Sequence, residues 1–271
     1  MPTPTMMDDE NLARLPEGLH RIRRGDGGPA IAKVRRGAAT GFFKAEARGL
    51  ATIRDTRAFR VPDVFAVSPH GILMEDLGAG RPSRDDWERA GAHLAQMHRC
   101  NGESFGFDSD GWCGESPQDN TRSAGGHAFF VERRLHPQAR RARLHGLLDE
   151  NDVRDLDRIC GRLGDLIPAA PAVLVHGDLW TANLHACANG ELALIDAAAA
   201  HHGWAETDLA MLTLFGEPPA SFFAAYETQA ETNSEWRERA PIYNLYHLLN
   251  HLNLFGGGYL ASVRAILSRY G

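Results

Sequence analysis

Between Leu174 and Leu184 the sequence reads LVHGDLWTANL, which sets the oxygen donors of Asp178 and Asn183 five positions apart. A further acid, Asp196, stands in the apolar run ELALIDA. The intervening CANGE, with Asn189-Gly190, is a strong hairpin signal and predicts that AVLVHGD and ELALIDA pair as antiparallel strands. Such pairing would bring Asp178, Asn183 and Asp196 to one rim. Two acids and an amide suit Mg²⁺, which takes oxygen ligands and keeps waters and substrate phosphates. Phosphoryl transfer needs those ligands and a carboxylate for the acceptor hydroxyl. Taken singly, each of the three is also an ordinary turn former; their order across a hairpin is what points to a site.

Upstream, Lys33 lies in AIAKV among alternating apolar residues, so it is predicted to project from a strand near the interior. Charge is seldom buried unpaired, and Glu46 in the following segment is the nearest suitable partner. A Lys–Glu pair with the lysine on nucleotide phosphates is the other half of a kinase constellation. The competing reading is an exposed edge-strand lysine and a surface glutamate.

The elements that must hold these residues follow from patterning. GLHRIRRGDGGPAIAKVRR reads as two strands joined by a turn at Gly25 to Gly28. GFFKAEARGLATIRD carries Phe42, Phe43, Ala47, Leu50 and Ile53 at helical spacing. VPDVFAVS and GILMEDLG read as two more strands, and EDLGAGRPS, Glu75 to Ser83, as a hinge. Beyond it the chain turns mainly helical, with Trp87, Ala90, Leu94 and Met97 on one face, then DVRDLDRICGRLGDL and APIYNLYHLLNHLNLF. This gives a lobe over residues 1–76 and a second over 77–271, hinged at about 75–80.

The 271 residues are 43% hydrophobic and 24% charged, with a net charge of −6. That is globular composition and argues against nucleic acid or a membrane surface as partner. The basic run RRLHPQARRAR reads as a solvated helix face. MPTPTMMDDE lacks the pattern of a signal peptide, and no apolar run is long enough to span a bilayer, so a cytoplasmic protein is expected. Cys100, Cys113, Cys160 and Cys187 show no metal-ligand spacing and read as free thiols. Neither His201 and His202 nor His247 and His251 have a supporting cysteine cluster or HExxH pattern, so zinc is not expected. His176 reads as a brace for the loop, Asp208 as a cap or loop anchor, and Gly256 to Gly258 as a helix break. Oligomeric state is not legible.

HGDLWTAN resembles the catalytic loop of the fructosamine kinases, or ketosamine-3-kinases, within the protein-kinase-like and aminoglycoside-phosphotransferase superfamily. ETDLAMLTLFG and NHLNLFGGGYL match the family's later signatures, and FGFDSDGWCGESPQDNT and FFVERRL fit the region between. The likeness runs from about Ala30 to the C-terminus. It implies an α+β, bilobal protein-kinase-like fold, with a small β-rich N-lobe holding one helix and a larger, mainly helical C-lobe. It also implies ATP and Mg²⁺, and phosphorylation of a ketosamine hydroxyl, O3 by analogy, on a small-molecule or protein-bound glycated amine, in deglycation. By the same resemblance Asp178 is the base, Asn183 and Asp196 hold Mg²⁺, Lys33 grips the ATP phosphates and Glu46 orients Lys33. Backbone around Glu75, Asp76 and Leu77 would meet adenine, Trp180 would line the acceptor pocket, and Glu206 would shape the substrate side.

The chain departs from the family pattern in three places. Ala197 stands where Pro is usual after the metal aspartate, and the stretch from Asp196 to Glu206 is one residue longer. His201, His202 and Trp204 therefore fall where the family often has Tyr, Gly and a basic residue. Only RLPEGLHR, with Gly18, occupies the place of a Gly-rich phosphate loop. Two other readings stand beside the first: an aminoglycoside- or choline-type phosphotransferase, and a non-catalytic, nucleotide-binding pseudokinase.

Overall fold

The computed structural model describes Leu12 and residues 14–271, so the reading of MPTPTMMDDE lies outside the described residues. Alternation in the first strands decides which way Lys33 points. Strand β1 (Gly18–Arg23) pairs with β2 (Pro29–Val34) through a turn in which the Arg24 amide donates to the Gly28 carbonyl at 2.8 Å. Ala30, Ala32 and Val34 of β2 are buried against Leu12 and Leu73, which leaves Ile31 and Lys33 on the opposite face. Helix α1 (Phe42–Asp55) follows, then β3 (Val64–Ser68) and β4 (Gly71–Glu75). The four strands form an antiparallel sheet in the order β1-β2-β4-β3.

Helix α1 buries Phe42, Phe43, Leu50 and Ile53, and with them Glu46. Its approach to the rest of the molecule depends on Gly49. A Cβ there would fall 1.9 Å from the carbonyl oxygen of Ala197, and the Ala197 methyl group lies 3.1 Å from the same point. Ala197 is itself fully buried, so the place where the family usually carries proline is here a tight contact of small residues.

Residues 76–83 carry no regular secondary structure and lead into α2 (Arg84–Met97), which starts at a Ser83–Asp86 capping box. The rest is mainly helical. Short strands β5 (Gly111–Cys113) and β6 (Ser116–Gln118) precede α3 (Gly126–Phe130), which continues through a π-helical turn, Val131–Leu135, into α4 (His136–Leu144). After α5 (Glu150–Gly161) and α6 (Leu163–Leu166) come β7 (Val173–Val175), β8 (Leu184–Ala186), β9 (Leu192–Leu194) and β10 (His201–Gly203). Helices α7 (Ala205–Met211), α8 (Ala220–Ala230), α9 (Trp236–Phe255) and α10 (Leu260–Tyr270) complete the chain. Helix α9 packs against α7, and α2 against α8. One hydrophobic core joins Ile72 and Met74 of the sheet, Leu50 of α1 and Leu249 of α9. Among the described residues no helix is long and apolar enough to cross a membrane.

The expected hairpin is present with a different first strand. The Asn189-Gly190 turn joins β8 to β9, with Leu184 opposite Leu194, whereas β7 pairs with β10 through Val175 and His201. The reason is register. The Gly190 amide donates to the Cys187 carbonyl and the Cys187 amide to the Glu191 carbonyl, so the strands close directly on the turn. β8 thus takes one edge of β9, and Arg60 bridges to Ala193 on the other. Asn183 and Asp196 still flank the same end of the hairpin.

Gly49→Ala is expected to destabilise the protein by about 1–3 kcal/mol, because the new methyl group must displace a backbone carbonyl. A shifted denaturant midpoint with an unchanged slope would report it; wild-type stability would mean that α1 does not sit this close to Ala197.

Candidate active site

A lysine on a half-buried strand face has to find carboxylates, and Lys33 finds two. Its Nζ donates to both Glu46 carboxylate oxygens at 3.0 Å and to Asp196 Oδ1 at 2.7 Å. Burial works against the Lys33 charge, but Glu46 and Asp196 outweigh it and hold its pKa above the ordinary lysine value. Burial pushes Glu46 up to about 7 against the pull of Lys33, with Asp196 adding to the rise. Burial would raise Asp196 as well, yet Lys33 keeps it below the usual carboxylate range. The exposed-lysine reading is thereby excluded: Glu46 is 0% exposed, and Lys33 lies inside the cleft.

The cleft is a cavity of about 470 Å³ between the sheet and the hairpin, lined by Ile31, Lys33, Met74, Leu77, Ile195 and Asp196 among others. Glu75 and Asp76 also line it, with their side chains committed: Glu75 pairs with Arg60, and Asp76 with Arg21 at 2.6 Å. The Leu77 carbonyl accepts from the Ala188 amide at 2.9 Å, while the Leu77 amide makes no hydrogen bond among the described residues. The Leu77 amide is therefore a backbone donor open to a ligand in this stretch. Glu17, Gly18 and Leu19 form part of the rim, and Gly18 takes a φ of 125° with open space around it. That is the segment standing in for a longer phosphate loop.

The loop after β7 is held from beneath by Asp208. Its carboxylate accepts the His176 amide at 2.7 Å and the Gly177 amide at 2.9 Å, and lies 3.3 Å from His98 Nε2. Asp208 is thus a loop anchor, as one of its two sequence readings held. Burial alone would raise its pKa, but the His98 contact and these amides keep it low. Gly177 has a φ of 80°, and a Cβ there would meet the Ala199 carbonyl at 2.3 Å, so only glycine lets the loop lie on residues 197–199. His176 braces the loop, its Nε2 2.8 Å from the Ile195 carbonyl. Asn183 donates Nδ2 to the Asp178 carbonyl at 2.8 Å, which leaves its Oδ1 free as a ligand. Asp196 adopts φ 59°, ψ 46°, a left-handed conformation that aspartate tolerates better than most residues.

Asn183 and the second carboxylate oxygen of Asp196 make a hard, all-oxygen donor set beside the cavity, which fits Mg²⁺. Asp178 lies on the other side of Asn183 and is partly exposed; burial pushes its pKa up to about 6 against His176, with Asp196 and Asp208 adding to the rise. Trp180 is 38% exposed rather than a core residue, and its ring meets Phe215 edge-on at 6.5 Å. Phe215 stacks on His251 at 4.8 Å, and His251 in turn touches Phe255 and Tyr259. An aromatic wall therefore stands next to Asp178.

Glu206 is not part of this assembly. It is held by both oxygens to Arg239, at 2.6 and 2.7 Å, and lines a separate cavity with Tyr226 and Trp236. His201 and Trp204 are buried in β10 and at its end, Trp204 among Phe105, Phe130 and Tyr243. Cys113 and His247, which the sequence offers only as a free thiol and a histidine without a metal motif, meet beside Asp178 with Sγ and Nδ1 3.8 Å apart. Their separation of 134 positions puts their meeting beyond any spacing rule.

A strand lysine ion-paired to a helix glutamate and to the aspartate beyond the hairpin, with an HGD loop braced against that hairpin, is a protein-kinase-like arrangement. The fructosamine kinase family model matches residues 20–270, and the chain belongs to that family. It is 37% identical over 236 residues to a Synechocystis protein named "Probable ketoamine kinase", covering 84% of this chain and 78% of that one. It is 34% identical over 260 residues to the chloroplastic protein-ribulosamine 3-kinase of Arabidopsis thaliana, covering 90% and 77%. A crystal structure of a protein assigned as a fructosamine-3-kinase, from Thermobifida fusca, superposes with a TM-score of 0.85 at 36% identity, over 92% of this chain and 89% of that one. The aminoglycoside phosphotransferase APH(2")-IIa, at 13% identity and TM-score 0.60, shares the fold alone.

Asp208→Ala is expected to destabilise the protein by roughly 3–5 kcal/mol, since it strands His98 and two buried amides together. Thermal unfolding reads the loss; an unchanged midpoint would remove Asp208 as the anchor.

Proposed function

We propose that the chain is an ATP-dependent kinase that phosphorylates a hydroxyl of a ketosamine, O3 by family analogy, on a free or protein-bound glycated amine. The observation that carries this reading is the Lys33 ammonium ion-paired to both Glu46 and Asp196 at a cleft, with the Asp178 loop tied to the residue before Asp196 by His176. In this reading Asp178 accepts the proton of the acceptor hydroxyl as its oxygen bonds to the γ-phosphorus and the bond to ADP breaks. Lys33 takes the nucleotide phosphates, and Glu46 fixes where its ammonium lies. The free amide of Leu77 meets adenine, with Glu75 and Asp76 framing that edge, so the hinge falls at residues 75–80 between an N-lobe ending at 76 and a C-lobe beginning at 77. Asn183 and Asp196 hold Mg²⁺, which when bound neutralises charge on the phosphates.

The aromatic wall of Trp180 and Phe215 favours a glycated amine over a polycationic aminoglycoside or choline, since the residues next to Asp178 there are aromatic rather than acidic. Glu206, spent on Arg239, is a structural ion pair and not an acceptor contact. A cytoplasmic setting suits the four free cysteines.

The test is turnover of ATP with ribulosyl-, erythrulosyl- and fructosyl-lysine against kanamycin and choline. Ketosamine turnover is expected, and Asp178→Asn should lower kcat by at least about 10²-fold while nucleotide still binds. Turnover of kanamycin or choline alone would overturn the acceptor, and an active Asp178→Asn enzyme would overturn the base. The base works as the carboxylate, the form present above its pKa. With Asp178 pushed up to about 6, kcat/KM for the acceptor should fall as pH drops through that value. Metal neutralising Asp196 moves the limb to pH 6 or slightly lower, and Asp178→Asn should lack it.

A further inference from the structure

Behind the Asp178 carboxylate the fold brings together a thiol and an imidazole. Cys113 closes β5, His247 sits midway along α9, and one donor atom from each of Cys113, Asp178 and His247 lies within 4.8 Å of the others. Sγ of Cys113 is 3.8 Å from Nδ1 of His247, which is 3.9 Å from Oδ1 of Asp178. Zinc bonds of about 2.0–2.3 Å at tetrahedral angles place such ligands roughly 3.4–3.6 Å apart, so both pairs need close by only a few tenths of an ångström. Cys113 and His247 are buried, and Asp178 is partly exposed, which makes it the point of entry.

The surroundings suit an ion with a taste for sulfur and nitrogen. Asn250 donates Nδ2 to the Cys113 sulfur at 3.3 Å and to its carbonyl at 3.1 Å, and is steadied by Gln138 at 3.2 Å. Such outer contacts orient a metal-binding thiolate. Burial and the Asp178 carboxylate push the Cys113 thiol up, against the pull of the buried Arg134 guanidinium, so its proton leaves only as a metal binds. Burial keeps His247 neutral, down to about 3, so its ring nitrogen has a lone pair to give. A thiolate, a carboxylate and a neutral imidazole around a divalent ion sum to zero charge, which a buried site tolerates. Mg²⁺ prefers all-oxygen sets, so the two kinds of ion sort to different sites around one loop.

We propose that Cys113, His247 and Asp178 form a Zn²⁺ site whose occupation silences the kinase by capturing the carboxylate of Asp178. On binding, the Cys113 S–H bond breaks, the proton leaves to solvent and a zinc–sulfur bond forms. Solvent or a second oxygen fills the fourth position. The inhibitory half of the proposal rests on Asp178 being the base; the site itself does not.

The experiment titrates the whole metal-free protein with Co²⁺, without nucleotide, and then displaces it with Zn²⁺. The expected result is a thiolate-to-cobalt charge-transfer band saturating at one equivalent and bleached by Zn²⁺. Cys113→Ser should lack the band, and His247→Gln should bind at least about tenfold more weakly. Should Cys113→Ser not fold, Cys113→Ala gives an apolar side chain for the same buried place and reads the same loss. In a direct phosphorylation assay at saturating Mg²⁺, Zn²⁺ should inhibit wild type, and Cys113→Ser should need at least about tenfold more. Absence of the band, its persistence in Cys113→Ser, or equal inhibition of both proteins would overturn the proposal. A band lost in Cys113→Ser together with full activity at saturating zinc would keep the site and overturn the silencing, and with it Asp178 as the base.

Discussion

The structure turns on one ammonium group placed between two carboxylates. Lys33 belongs to the sheet, Glu46 to the helix packed against it and Asp196 to the loop beyond the hairpin, and their polar atoms lie 2.7–3.0 Å apart. A buried glutamate next to a second acid would be unstable as an anion without that cation, and a lysine facing the interior would be unstable without those acids. Each partner therefore needs the other two. Three elements far apart in the chain are brought into fixed relation, and the cleft lies among them. The contact of Gly49 with Ala197 serves the same end by steric means, because it sets how far Glu46 reaches toward Asp196.

On the opposite wall the loop is shaped by its backbone more than by its side chains. Asp208 takes two consecutive amides, Gly177 turns where a Cβ has no room, and Asn183 ties its own side chain back to Asp178. The result holds one carboxylate, one amide and one aromatic ring on a single short loop. The acid has been moved toward neutrality by burial, which suits a group that must both take and release a proton near physiological pH. Trp180 and Phe215 add a flat apolar face beyond the loop.

Much of this was legible because it is local. The alternation in PAIAKV gave Lys33 its direction, the apolar spacing of Phe43, Leu50 and Ile53 gave α1, and the Asn189-Gly190 turn fixed the hairpin. The partner of that hairpin was misassigned because AVLV and the residues after Asn183 are both short apolar runs, and only register tells them apart. Glu206 was misplaced for a different reason. Its role depends on Arg239, which the fold brings from another helix. His201 and Trp204 looked like departures near the acceptor, whereas both are buried in the core, Trp204 among aromatic rings brought from other elements. The Cys113–His247 contact lay beyond reach, as neither residue has a motif around it.

A double-mutant cycle on MgADP affinity, measured by calorimetry for wild type, Lys33→Met, Glu46→Gln and the double variant, tests the Lys33 bridge most directly. If Glu46 acts by holding Lys33 in place, the double variant should lose no more affinity than Lys33→Met alone, with a coupling of at least about 1 kcal/mol. Losses that simply add would mean the two residues act independently, and the bridge would not be what organises the cleft.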